Sequence, residues 1–81
     1  MSEQTIEELE YDNILSTEGG RNVMYRFLEQ TGVFVDGFDE NPYIHAKNAG
    51  KRENGLWLIG ELKAASNHKY LTMLKENIDN E

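Results

Sequence analysis

The two histidines are the first residues to consider for chemistry, because neutral imidazole is a common zinc ligand. His45 and His68 lie 23 positions apart, and the chain of 81 residues contains no cysteine. A zinc site would therefore need carboxylates as further ligands, and neither histidine has a second one at the i, i+4 spacing of helical zinc motifs. The sequence predicts no metal site and no cofactor.

The acidic residues between positions 36 and 41 have the composition of a calcium-binding loop but not its spacing. An EF-hand loop needs oxygen ligands at positions 1, 3 and 5 and glycine at position 6. A loop that starts at Asp36 has Phe38 at position 3, and one that starts at Asp39 has Tyr43 at position 5. We interpret this cluster as a turn followed by a helix N-cap.

The glycines, serines and carboxylate pairs of the sequence bear on phosphate binding and catalysis. Gly50, Gly55 and Gly60 recur every five residues, which is neither a dinucleotide-binding nor a P-loop pattern, and no predicted strand precedes them. No serine has a histidine and an acid in a recognisable nucleophile elbow. Carboxylate pairs such as Glu7 and Glu8 are present, but a chain this short leaves little room for a dry pocket around them. The sequence predicts no catalytic residue and a protein that is not an enzyme.

The net charge of −7 is unevenly distributed along the chain. Residues 1–20 contain six acidic and no basic side chains, whereas residues 41–75 contain six basic and two acidic ones. Overall acidity argues against nucleic acid as the main ligand. The basic part leaves nucleic-acid binding as an alternative. Its phosphate contacts would be Lys47, Lys51, Arg52 and Lys63.

The elements that must position these residues are helical. Ser16 and Thr17 are N-cap residues ahead of an amphipathic spacing, and Gly32 is a natural stop. Asn41 followed by Pro42 is a second helix start. The sequence therefore predicts an all-α fold, a small bundle of three main helices over about 16–31, 42–65 and 67–78.

The N-terminus has two interpretations. Thr5 and Glu8 form a capping-box pattern that predicts a helix over about 5–15, and the alternative is a solvated, frayed segment over residues 1–8. Residues 79–81 are also expected to fray, and the whole of 1–81 is expected to be one helical domain. Gly19 and Gly20 near a helix start suggest close approach of another backbone. No apolar run approaches the ~20 residues of a membrane span, and the N-terminus lacks a secretory signal.

The most informative segment is Leu56–Ile59, where the predicted long helix is apolar on nearly all faces. A helix of this kind is buried on several faces, either by its own bundle or by a partner. If a partner covers it, aromatic residues are expected at the centre of the contact. The predicted protein-interface residues are Trp57, Leu56, Ile59, Phe34 and Phe38.

Three segments resemble a known family when taken in order. They are Leu-Ser-Thr-x-Gly-Gly-Arg at 15–21, Phe-Leu-Glu-x-x-Gly-Val-Phe at 27–34 and Gly-Lys-Arg-x-x-Gly-Leu-Trp-Leu at 50–58. The chain resembles a family of small tailed-bacteriophage proteins encoded among the head-assembly and packaging genes. The resemblance implies a phage origin and a role in the virion or its assembly, and it brings no catalytic residues.

The resemblance and the apolar segment together lead to a first hypothesis. The chain is expected to be a small virion or assembly protein that docks, in several copies, on a larger phage structural protein such as the portal, internal core or tail. An alternative is a small phage protein that binds and modulates a host enzyme through its acidic N-terminus. A second alternative is a nucleic-acid-binding packaging helper. The expected location is the virion, the host cytoplasm or both.

Overall fold

The computed structural model describes residues 3–35 and 40–78, which contain three helices and no strand. The helices are α1 (Ile6–Leu15), α2 (Glu18–Thr31) and α3 (Pro42–Ile78). All three pack together, and α1 and α2 each contact α3 far more than they contact one another. The predicted all-α fold is confirmed.

The N-terminal helix α1 forms, and its first turn is fixed by the predicted capping box. The Thr5 hydroxyl accepts a hydrogen bond from the Glu8 backbone N–H at 3.1 Å, and the Glu8 carboxylate accepts one from the Thr5 N–H at 2.8 Å. These two bonds satisfy N–H groups that have no partner within the helix. Residues 5–8, for which fraying was the alternative, are thus ordered by local chemistry.

The boundaries of α2 also follow from local chemistry. Thr17 is the N-cap, and its hydroxyl accepts a hydrogen bond from the Gly20 N–H at 3.0 Å. The helix ends at Gly32, whose φ of 74° is in the left-handed region that favours glycine. The predicted close approach is confirmed at Gly20, because a Cβ there would lie 2.9 Å from the Ile14 carbonyl carbon. At Gly19 the same Cβ would point into open space.

The two last predicted helices form one element, α3, with a break between them. Asn41 accepts a hydrogen bond from the Tyr43 N–H at 2.9 Å, so it caps the helix that begins at Pro42. Ser66 has extended dihedral angles (φ −163°, ψ 97°), and its hydroxyl accepts a hydrogen bond from the Lys69 N–H at 3.3 Å. Ser66 therefore ends one helical segment and caps the next, which confirms the predicted boundary between helices over about 42–65 and 67–78.

The hydrophobic core lies where α1 and α2 cover α3. Its fully buried side chains come from all three helices, namely Leu15, Leu28, Leu62 and Met73. Burying a side chain of this size contributes about 1.5–3 kcal/mol. Gly55 allows α2 to approach α3, because a Cβ there would lie 2.9 Å from the Cβ of Thr31 and 3.0 Å from that of Val33.

Two ion pairs connect the last part of α3 to the first two helices. Arg21 donates two hydrogen bonds to Glu76, at 2.6 and 3.0 Å, and one to the Leu15 carbonyl at 2.9 Å. The Arg21 hydrogen bond holds the pKa of Glu76 below its ordinary value of 4.5. Lys69 pairs with Asp12, and its hydrogen bond lowers the pKa of Asp12 from 3.8. Both pairs fix the C-terminal half of α3 against α1 and α2.

Candidate protein-interaction site

An open groove with a volume of about 400 Å³ lies between α2 and α3. Residues three or four apart on a helix share one face, and this spacing places two residues of α2 and three of α3 along the groove. One residue of α1 also lines the groove. We call this set the groove, and its residues are Tyr11, Met24, Phe27, Asn54, Trp57 and Leu58.

Two aromatic side chains of the groove are largely open to solvent. Phe27 of α2 is 57% exposed and Trp57 of α3 is 61% exposed. Five of the six lining residues are apolar or aromatic, which is typical of sites that bind other molecules. Trp57, the only tryptophan of the chain, therefore lies in a groove and not in the core.

The groove continues towards a positively charged end. A neighbouring depression shares Phe27 and Asn54 with the groove and adds Gln30, Thr31 and Lys51. Lys51 is exposed and forms no ion pair with another described residue. The apolar floor thus leads to the Lys51 ammonium group, which lines a further depression together with Glu29.

A second apolar surface lies on another side of α3. Arg52, Leu56, Ile59 and Lys63 follow one another at spacings of four, three and four, so they lie on one face, which we call the Leu56 face. Leu56 is 52% exposed, and Ile59 is half-buried against the core. Arg52 also donates a hydrogen bond to the Val35 carbonyl at 3.2 Å. The apolar centre of this face has a cation at each end.

The structure separates the predicted interface residues. Trp57 lies in the groove, whereas Leu56 and Ile59 lie on the Leu56 face. Phe34 stacks on the ring of Tyr25, with centroids 5.2 Å apart and an interplanar angle of 19°. Phe38 lies outside the described residues. The predicted residues therefore belong to more than one surface.

A third exposed apolar set belongs to α1. Ile6, Leu9 and Asn13, at spacings of three and four, point away from the bundle, and we call them the α1 stripe. Ile6 is 72% exposed, while Leu15 provides the buried contact of this helix. Glu7 and Glu10 are also exposed, and no described basic residue forms an ion pair with either. This surface is apolar and acidic.

Sequence reasoning missed Phe27 as a surface residue. Its spacing with Val23, Met24 and Leu28 predicts one amphipathic face, which was expected to be buried. In the structure Leu28 is buried, Met24 is half-buried, and both Phe27 and Val23 are exposed. The available signal was the width of this apolar face, which one neighbouring helix cannot cover.

The predicted phosphate contacts do not form a single patch. Lys47 and Lys51 are one turn apart on one face of α3, whereas Arg52 and Lys63 are on the Leu56 face. All four side chains are exposed. The cations that nucleic-acid binding would require are therefore divided between two faces, and this alternative remains a prediction without a convergent site.

The described residues offer no group of three or more histidine, cysteine, aspartate or glutamate side chains that could hold a metal ion. His45 and His68 are both on α3, about six helical turns apart. No helix within the described ranges is both long enough and apolar enough to cross a membrane.

Comparison with known proteins places the chain in a family. No curated protein and no solved structure matches it. The sequence pattern of the family described as "Bbp19-like phage protein" matches residues 11–75, which include the second half of α1, all of α2 and most of α3. The match covers more than half of the sequence, and the chain belongs to the family of Bbp19-like phage proteins.

Proposed function

We propose that this chain is a non-enzymatic structural protein of the phage that docks, in several copies, on a larger virion component such as the portal, internal core or tail. One observation carries the proposal. Among the described residues, 13 large apolar side chains are exposed, whereas the core contains nine buried apolar residues. A protein that exposes more large apolar side chains than it buries gains stability when another surface covers them.

The Leu56 face supports docking on a partner of defined chemistry. Its centre, Leu56 with the half-buried Ile59, offers apolar contact area next to the core, and Arg52 and Lys63 flank it. Opposite charges at the rim of an interface guide orientation and speed association. The complementary surface on the larger component would have an apolar centre between acidic residues.

The first experiment asks whether the chain is part of the particle. Virions are purified through two density gradients, and their proteins are quantified by mass spectrometry against the major capsid protein. The proposal predicts the chain at a fixed number of copies per particle. Its absence from purified particles would refute a role in the virion.

A second experiment tests the Leu56 face directly. Tagged Leu56→Ser and Leu71→Ser chains are supplied in trans to a phage that lacks the gene, and their incorporation is measured. Both leucines are exposed on α3, at 52% and 53%, so the pair is matched. Truncating a central interface residue costs about 2 kcal/mol or more, or roughly 30-fold in affinity. We expect Leu56→Ser to lose incorporation and Leu71→Ser to retain it; equal incorporation would refute the assignment.

The α1 stripe favours a second candidate function, in which the chain binds and modulates a host enzyme. Ile6 and Leu9 are exposed beside Glu7 and Glu10, so the acidic N-terminus offers apolar contacts as well as charge. A pull-down from host cells tests it. The captured host protein should be lost with Ile6→Ser/Leu9→Ser and retained with Leu71→Ser, and capture that does not depend on the stripe would argue against this candidate.

A further inference from the structure

We infer that the groove binds the α1 stripe of a second copy of the same chain, so that copies associate head to tail. The inference rests on the proposed function, in which the open apolar surfaces are interfaces, and it names the partner of one of them. The Leu56 face stays free for the larger component. The inference starts from two exposed surfaces of the described chain, the groove and the α1 stripe.

The two surfaces agree in length and form. From Ile6 to Asn13 the α1 stripe extends over seven residues, or about 10 Å at 1.5 Å per residue. The α3 wall of the groove, from Asn54 to Leu58, continues to Lys51 in the neighbouring depression, and together they also rise by about 10 Å. An amphipathic helix that lays its apolar side chains into a groove between two helices is a common mode of recognition.

The two surfaces also agree in apolar character. Ile6 and Leu9 are aliphatic side chains that α1 does not bury in its own bundle. Phe27 and Trp57 are aromatic side chains that line the groove and face solvent. Contact between them would remove four large apolar side chains from water in each interface, which is a favourable change.

Charge complementarity selects this occupant. The exposed carboxylates of Glu7 and Glu10 border the α1 stripe, and the exposed ammonium group of Lys51 lies where the groove ends. None of the three forms an ion pair with another described residue. Docking that brings the carboxylates near Lys51 would pair charges that form no ion pair within the described part of one copy.

The α1 stripe of the same copy cannot occupy the groove. Tyr11 of that α1 already lines the groove. Leu15 is buried in the core, and Asp12 pairs with Lys69, so this helix is held with Ile6 and Leu9 directed outward. The α1 that enters the groove must therefore come from another copy.

When the groove of one copy binds the α1 stripe of another, the resulting dimer still has one free groove and one free α1 stripe. Such head-to-tail contacts produce a ring if the rotation closes and a filament if it does not. The net charge of −7 on every copy opposes association. Salt at about 0.15 M limits the range of this repulsion to roughly 8 Å. Association is therefore measured at that ionic strength.

The test is sedimentation equilibrium of the purified full-length chain over a concentration series that reaches about 1 mM, where even a Kd of ~1 mM is detected. A groove variant, Phe27→Ser/Trp57→Ser, and a stripe variant, Ile6→Ser/Leu9→Ser, are each measured alone. We expect the wild type to form dimers and larger species and each variant to remain monomeric. The matched control Leu71→Ser, at another exposed leucine, should behave as the wild type.

Mixing supplies the decisive measurement. The groove variant keeps an intact α1 stripe and the stripe variant keeps an intact groove, so an equimolar mixture should form a 1:1 dimer and nothing larger. A charge test refines it: Lys51→Glu should weaken association by up to about fivefold, as expected for one exposed ion pair. Adding Glu7→Lys/Glu10→Lys should restore it.

Several results would overturn the inference. These are a wild type that is monomeric over the whole series, variants that associate as the wild type does, or a mixture that stays monomeric. Circular dichroism checks that each variant is helical, and the four substituted side chains are exposed or partly exposed, so the fold is expected to tolerate them. Because only purified protein is used, a failure here leaves the virion experiments on the Leu56 face standing.

Discussion

The three glycines of α3 allow the packing of this bundle to be tested with one substitution at three sites. Gly50, Gly55 and Gly60 lie five residues apart in the same helix, and each is changed to alanine. A Cβ at Gly50 or Gly60 would meet no atom within 4 Å. A Cβ at Gly55 would instead approach the Cβ atoms of Thr31 and Val33 at 2.9 and 3.0 Å.

The expected free energies of unfolding differ in sign. In a helix interior alanine is more favourable than glycine by about 1 kcal/mol, so Gly50→Ala and Gly60→Ala should each stabilise the fold by up to that amount. At Gly55 the same gain of about 1 kcal/mol is opposed by an overpacking cost of about 1–3 kcal/mol. The contacted Cβ atoms are bonded directly to backbone and move little. We therefore expect Gly55→Ala to destabilise the fold by up to about 2 kcal/mol.

The assay is thermal unfolding followed by circular dichroism, with urea unfolding as a second measure. A change of 1 kcal/mol shifts Tm by about 4–8 °C in a domain of this size. Gly50→Ala and Gly60→Ala should raise Tm, and Gly55→Ala should lower it. If Gly55→Ala raised Tm as much as Gly60→Ala does, the close packing of α2 on α3 at this site would be refuted.

Three further predictions follow from burial and ion pairing. Leu62→Ala should cost about 2–5 kcal/mol of a total near 4–12 kcal/mol, whereas Leu56→Ala, at an exposed site in the same helix, should cost less than about 1 kcal/mol in urea unfolding. Asp12 and Glu76 have folded-state pKa values below their ordinary ones, so their contribution is present at neutral pH and is lost as pH falls through the folded-state values. Tm should therefore fall on acidification below about pH 4.5, and less so in an Asp12→Asn/Glu76→Gln variant; equal pH profiles would contradict this. Trp57 fluorescence should be readily quenched by acrylamide in the monomer and protected on self-association, and a shielded indole in the monomer would contradict the groove.

The helix ends were predictable because they depend on chemistry within a few residues. Thr17 and Gly32 delimit α2 through their own hydroxyl and backbone conformation, and Asn41 caps α3 in the same way. The kink at Ser66 was predicted as a break for the same reason.

The division between core and surface was less predictable. The apolar pattern of α2 identifies which side chains share a face, but the crossing of a neighbouring helix decides which of them are covered. Phe27 and Leu28 are adjacent in the sequence, yet Leu28 is buried and Phe27 lines an open groove. Trp57 was predicted to be at an interface because its segment is apolar on several faces. The placement of Leu56 and Trp57 on different faces is also local, because adjacent helical residues are about 100° apart around the axis, whereas the exposure of each face depends on the packing of α1 and α2.

Most contacts between helices in this bundle involve α3, and this affects when the chain can fold during its synthesis. α1 and α2 make most of their contacts with α3, and few with each other, so the first half of the chain has little to fold against on its own. The core closes only when Met73 is in place, and the Arg21 ion pair forms only when Glu76 is available. Domains commonly fold as units as they leave the ribosome. In this chain the first two helices must wait for α3, so their apolar side chains stay accessible to chaperones until α3 has left the ribosome.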